Sequence, residues 1–174
     1  MKGVIVQCLE DLVCKRYGVE KWREALKRSG LDTRAKFYAV QNVDDQTVMK
    51  VVGSVCEVLG IALPQAADAF GEHWVNSFAS KIYSAYFRQA KSARELLLNM
   101  DRTHSETTRN IPDSHPPRFG YTWSDERTLV MTYHSQRYLI DFLVGLVRGV
   151  GTYYKEPLCV TKVDNTSVQI RFSP

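Results

Sequence analysis

The sequence predicts an α+β fold, a helical N-terminal lobe followed by a C-terminal lobe with a four-stranded antiparallel sheet and a long helix. Two observations carry that expectation. Ahead of the proline pair Pro116 and Pro117, apolar residues recur at helical spacing and glycines punctuate them. After that pair, short runs alternate apolar and polar residues with period two, and polar turn clusters divide them into hairpins. At 174 residues the chain reads as one domain over 1–174, with enough length to bury a core. No internal repeat, low-complexity tract or long linker divides it.

The first helix is expected over residues 3–16, with Val4, Ile5, Cys8, Leu9, Leu12 and Val13 on one stripe and Gly18 to end it. A shorter helix over 19–28 stops at Gly30, and 37–42 reads as an extended connector. Asp44 or Asp45 can cap a third helix, which runs through Val48, Val51, Val52 and Val55 and closes at Gly60. Pro64 suits the first turn of a fourth helix, through Phe70, Trp74 and Phe78 toward Phe87. Ser92 and Glu95 form an S-x-x-E capping box for a helix that ends near His104. Residues 118–123 and 128–133 read as a strand pair around Ser124, Asp125 and Glu126. A long apolar helix is expected over 137–153, and a last hairpin over 157–163 and 166–172.

Composition excludes several classes. Hydrophobic content of 44% with 24% charged residues is that of a globular chain, and no apolar run approaches the length of a membrane span. Glu10 and Asp11 interrupt the first apolar stretch too early for a signal peptide. The four cysteines form no CxxC pair, so free thiols in a reducing, cytoplasmic setting are expected. Net charge is +4, and the eight basic residues between Lys15 and Lys36 are interspersed with Glu20, Glu24 and Asp32. That pattern describes a solvated helix face rather than a nucleic-acid or membrane surface. There is no Gly-rich phosphate loop, HExxH or GxSxG, so no catalytic constellation is expected.

One stretch carries the chemistry. Leu97, Met100 and His104 fall at i, i+3 and i+7, which places an imidazole at the end of an apolar helix face. Taken alone, His104 reads more readily as a capping or surface residue than as a ligand. Downstream, Tyr133, Ser135 and Arg137 stand at spacings of two, which in extended chain puts all three on one face. A phenol, a hydroxyl and a guanidinium together make a carboxylate trap, and Arg can grip one bidentately. An imidazole ligand with a carboxylate trap points to haem, which needs an axial ligand and partners for two propionates.

These residues resemble the H-NOX family, the haem domains that sense nitric oxide and other diatomic gases. The chain opens MKGVI, MDRTH at 100–104 is similar to the family's proximal-histidine segment, and Pro116 and Pro117 follow at the family's distance. Tyr133-x-Ser135-x-Arg137 looks like its Tyr-x-Ser-x-Arg signature, and FLVGLVRGVG at 142–151 resembles the helix that follows. The resemblance covers nearly the whole chain. It implies haem b between the two lobes, with His104 on the iron, Tyr133, Ser135 and Arg137 on the propionates, and Pro117 pressing on the porphyrin. It places Ile5, Leu9, Trp74, Phe78, Phe142 and Leu146 around the haem. Phe142 stands where oxygen-holding members carry a distal tyrosine, so the pocket is expected to bind NO and CO but exclude O₂. The indole N–H of Trp74 is a donor that such a pocket would still contain. The short C-terminus offers only Cys159, so the zinc site of some members is not expected. The resemblance further implies a sensor rather than an enzyme, with a histidine kinase or a cyclic-dinucleotide enzyme as its partner.

Two rival readings come from other classes. A haem-free small-molecule-binding or trafficking domain of related fold would not need His104 together with the Tyr-x-Ser-x-Arg segment. A haem enzyme such as a peroxidase or NO reductase would need distal acid–base or second-metal groups, which Phe142 and Trp74 do not supply.

Overall fold

A computed structural model describes residues 1–111 and 114–173. The chain divides into two compact units, 1–70 and 71–174.

The first unit is helical. Helices α1 (Gly3–Tyr17), α2 (Val19–Arg28) and α3 (Asp45–Leu59) keep the expected order and nearly the expected ends. Their ends are local chemistry. Gly18, Gly30 and Gly60 all adopt positive φ, which releases the chain from the helix without Cβ strain. Of the two candidate caps, Asp44 accepts from the Thr47 N–H at 2.9 Å, whereas Asp45 binds the N-terminal ammonium at 2.5 Å. The core is Val6, Cys8, Leu9, Leu12 and Val13 from α1, Trp22, Ala25 and Leu26 from α2, and Val48, Val51, Val52 and Val55 from α3. The connector, rather than being fully extended, turns at residues 39–40, accepts from the Gly3 and Val4 N–H groups of α1 at its Gln41 and Ala39 carbonyls, and bridges Lys2 through Asn42. On α2 and the start of its neighbourhood, Arg23–Glu20, Arg28–Glu24 and Lys15–Asp11 pairs bear out the solvated face.

Helix α4 (Leu63–His73) carries Pro64 in its first turn as expected, but the fourth helix is not continuous. Trp74–Ala79 is a π-helical segment, followed by α5 (Ser80–Ile82), a break at Tyr83 and α6 (Ser84–Gln89). In the second unit this segment crosses α9 (Ile140–Tyr154) at glycines. A Cβ on Gly71 would lie 2.1 Å from the Gly145 carbonyl carbon, and one on Gly149 would lie 2.6 Å from the Gly71 oxygen. Asn76 secures the crossing, donating through Nδ2 to the Glu72 carbonyl at 2.9 Å and the Gly149 carbonyl at 3.3 Å.

The expected single helix ending near His104 is two helices, α7 (Ala93–Leu98) and α8 (Met100–Thr108), separated at Asn99. The capping box is half formed. Ser92 accepts from the Glu95 N–H, but the Glu95 carboxylate takes the Lys91 N–H instead of that of Ser92. Strands β1 (Arg118–Asp125), β2 (Thr128–His134), β3 (Leu158–Lys162) and β4 (Ser167–Phe172) form one antiparallel sheet in the order β1-β2-β4-β3. Leu129 and Met131 of β2 and Val168 and Ile170 of β4 bury one face, together with Leu96, Leu97, Leu143, Val147 and Val150 from α7 and α9. No single helix among the described residues is long and apolar enough to cross a membrane.

Candidate functional site around His104

Helix α8 lies along the start of β1, and four contacts fix it there. His104 Nδ1 stands 3.4 Å from the Pro117 carbonyl oxygen. One helical turn earlier, Asp101 accepts from Arg118 Nε at 2.7 Å, Arg118 Nη2 at 2.6 Å and the Phe119 N–H at 2.9 Å. Spacing of i and i+3 explains why Asp101 and His104 face the same strand. The Phe119 ring lies 5.3 Å from the imidazole. Finally, the Tyr121 hydroxyl meets the junction between α7 and α8.

This packing sets the chemistry of the imidazole. Burial pushes the His104 pKa down, against the smaller opposing effects of the Pro117 carbonyl and the Asp101 charge. The ring is therefore neutral at ordinary pH. A carbonyl only accepts, so the contact with Pro117 needs the proton on Nδ1, and the lone pair is left on Nε2. A half-buried, neutral histidine whose other nitrogen is held by a carbonyl is the donor that a haem iron takes. The residues present fit that group.

The residues expected to bind carboxylates reach the same neighbourhood by a different path from the one their spacing suggested. Period two holds to His134, so Tyr133 is buried and His134 exposed on opposite faces. The strand then ends and residues 136–137 turn, so extended geometry does not carry to Arg137. Instead the Arg137 N–H donates to Ser135 Oγ at 3.3 Å, and Arg137 Nη1 donates to the His115 carbonyl at 2.7 Å. The 115–117 segment thus touches Arg137 at one end and His104 at the other. Tyr133 joins through Phe119, its cross-strand partner, with ring centroids 6.0 Å apart. Tyr138, just beyond, is held at φ 52°, a conformation that L side chains rarely adopt.

Other expected residues divide between the units. In the second, Met100 packs on the core below α8, and Trp74 stacks on Phe78 at 6.2 Å within the π-helical segment. Phe142 and Leu146, four apart on α9, are half-buried. In the first unit, Leu9 is buried and Ile5 half-buried on α1. Sequence reasoning missed Asp101, Phe119 and Tyr121. Only the composition of the MDRTH segment pointed toward Asp101, and nothing local pointed to the other two.

Comparison with known proteins places these features. The family model described as Haem-NO-binding matches residues 2–162. Among solved structures, a variant of Cs H-NOX carrying 4-cyano-L-phenylalanine is 25% identical, with a TM-score of 0.88, covering 100% of this chain and 97% of its own. An oxygen-binding H-NOX domain related to soluble guanylate cyclases, in its oxygen complex, is 25% identical, with a TM-score of 0.83 and coverage of 100% and 96%. A mutant of T. tengcongensis H-NOX, 24% identical, shares the fold with a TM-score of 0.86 and coverage of 100% and 98%.

Proposed function

The chain belongs to the haem-NO-binding family of haem-binding gas-sensor domains, and from that premise we propose that it carries haem b on His104 and reports nitric oxide. The observation that carries this reading is the state of His104, half-buried, neutral and held through Nδ1 by the Pro117 carbonyl. When bound, haem supplies a ferrous iron with an open position for a diatomic ligand.

The chain's own residues do the rest. Arg137, with Tyr133 and Ser135, takes the propionates, as a guanidinium binds carboxylate more strongly than neutral donors do. Pro117 presses on the porphyrin, and work on a solved H-NOX structure 25% identical to this chain concerned haem distortion in that family. Met100, Phe78, Phe142 and Leu146 provide apolar lining, and Trp74 adds its indole. The Phe142 ring has no donor to give, and dioxygen gains most from one, so NO and CO bind while O₂ is excluded. His104 would be the residue released when NO binds, and α8 would carry that signal to a histidine kinase or a cyclic-dinucleotide enzyme. The chain itself catalyses nothing and needs no nucleic acid or membrane. A cytoplasmic setting accords with its four free thiols.

Absorption spectra of the ferrous protein test the reading. The Soret band should shift with NO and with CO, and no stable oxygen adduct should form in air. His104→Gly should lose its haem unless imidazole is supplied. Unchanged haem content and an unchanged ferrous spectrum in that variant, without imidazole, would overturn the assignment.

A further inference from the structure

The break between α7 and α8 has a visible cause. In an unbroken helix the Asp101 N–H would donate to the Leu97 carbonyl four residues back. Here the Tyr121 hydroxyl stands in that place. It accepts from the Asp101 N–H at 3.2 Å and donates to the Leu97 carbonyl at 3.0 Å. A side chain inserted into the i→i−4 ladder is one of the few established causes of a sharp helix kink. Asn99, between the two helices, adopts φ −89° and ψ 0° and covers the last turn of α7, donating through Nδ2 to the Glu95 carbonyl at 2.9 Å. His104 follows one turn beyond the splice.

We propose that Tyr121 is a positioning residue for His104: its phenol, spliced into the helix, holds the break at Asn99 and thereby sets the imidazole. The inference rests on His104 being the haem ligand. It gives the helix two arrangements. In one, the phenol bridges Asp101 and Leu97 and α8 is angled against β1. In the other, the phenol withdraws, the direct bond closes and the helix straightens. The ligated histidine belongs to the first arrangement, and its release favours the second. The bridge therefore acts as a brake on release. The phenol can fill this role because burial raises its pKa, so it keeps the proton that it donates.

Tyr121→Phe keeps the ring and removes only the bridge. The iron–histidine stretching frequency of the ferrous protein, read by resonance Raman, should fall. His104 release on NO should quicken about fivefold, the factor that the net worth of one hydrogen bond gives. Residual dipolar couplings of the amides of residues 93–108 in the CO complex should show the two helices closer to collinear. Tyr121→3-fluorotyrosine retains the hydroxyl and should keep the parent frequency, which loss of packing alone would not distinguish. A Tyr121→Phe protein that binds haem through His104 with unmoved frequency and helix angle overturns the inference while leaving the proposed function standing. Haem retained in full by His104→Gly overturns both.

Discussion

Asp101 is bound by two nitrogens of the Arg118 guanidinium and by a backbone N–H, and its charge state follows. The Arg118 hydrogen bonds, helped by the Phe119 N–H, hold its carboxyl at about 2, below the ordinary 3.8. A depressed carboxylate pKa favours the folded state above the unfolded value, and that contribution disappears as pH falls from 3.8 to about 2. Because Arg118 is largely exposed, solvent screening keeps the pair's contribution small. Asp101→Asn should lose that contribution at neutral pH and show a shallower decline across the acid window, measured by denaturant unfolding of the haem-free protein. Parallel acid declines in the two proteins would mean that Asp101 is already bound equally well in the unfolded chain. His104 was legible because its motif is contiguous. Asp101, Phe119 and Tyr121 acquire meaning only when β1 returns beside α8, across separations of 13 to 24 residues that no local pattern encodes.

At the scale of elements, what the sequence disclosed was whatever its own neighbours decide. Gly18, Gly30, Gly60, Asp44 and Ser92 end or begin helices by interactions within four residues, and the expected boundaries match there. The departures have partners far away. The Asn99 break needs Tyr121, and the turn at Arg137 includes a bond to His115. The π-helical segment is secured to α9 by Asn76, 73 residues from Gly149. That crossing supplies its own test, because Gly71 meets backbone rather than a side chain that could rotate aside. Gly71→Ala must part the helices and should cost about 2 kcal/mol or more, at the upper end of overpacking penalties. Gly53→Ala is the matched control, since its Cβ within α3 meets nothing within 4 Å. It should stabilise by up to about 1 kcal/mol through helix propensity. Thermal melts of the two variants decide it, and a Gly71→Ala protein as stable as the parent would show that α9 can shift freely.

At the scale of the whole molecule, the proposed reading makes this member of the haem-NO-binding family a sensor whose output would be read in a partner protein. A ligand shifts an equilibrium only by its differential affinity for the two states, and the same holds for a partner. The two states proposed here differ in whether α8 is tethered through His104. Under the proposed reading, NO would free the His104 imidazole from the haem, whereas CO would leave it bound. Partner activity should therefore change strongly with NO and little with CO, although both occupy the same position. The sharpest arm uses no gas at all. In His104→Gly with free imidazole, haem stays bound while its link to α8 is cut, so the partner should read the NO state without NO. Kinase or cyclic-dinucleotide turnover would be compared across the unliganded, CO-bound and NO-bound protein and this variant. A variant fixed in the unliganded output would place the signal somewhere other than the tether, and Tyr121 would then have nothing to restrain.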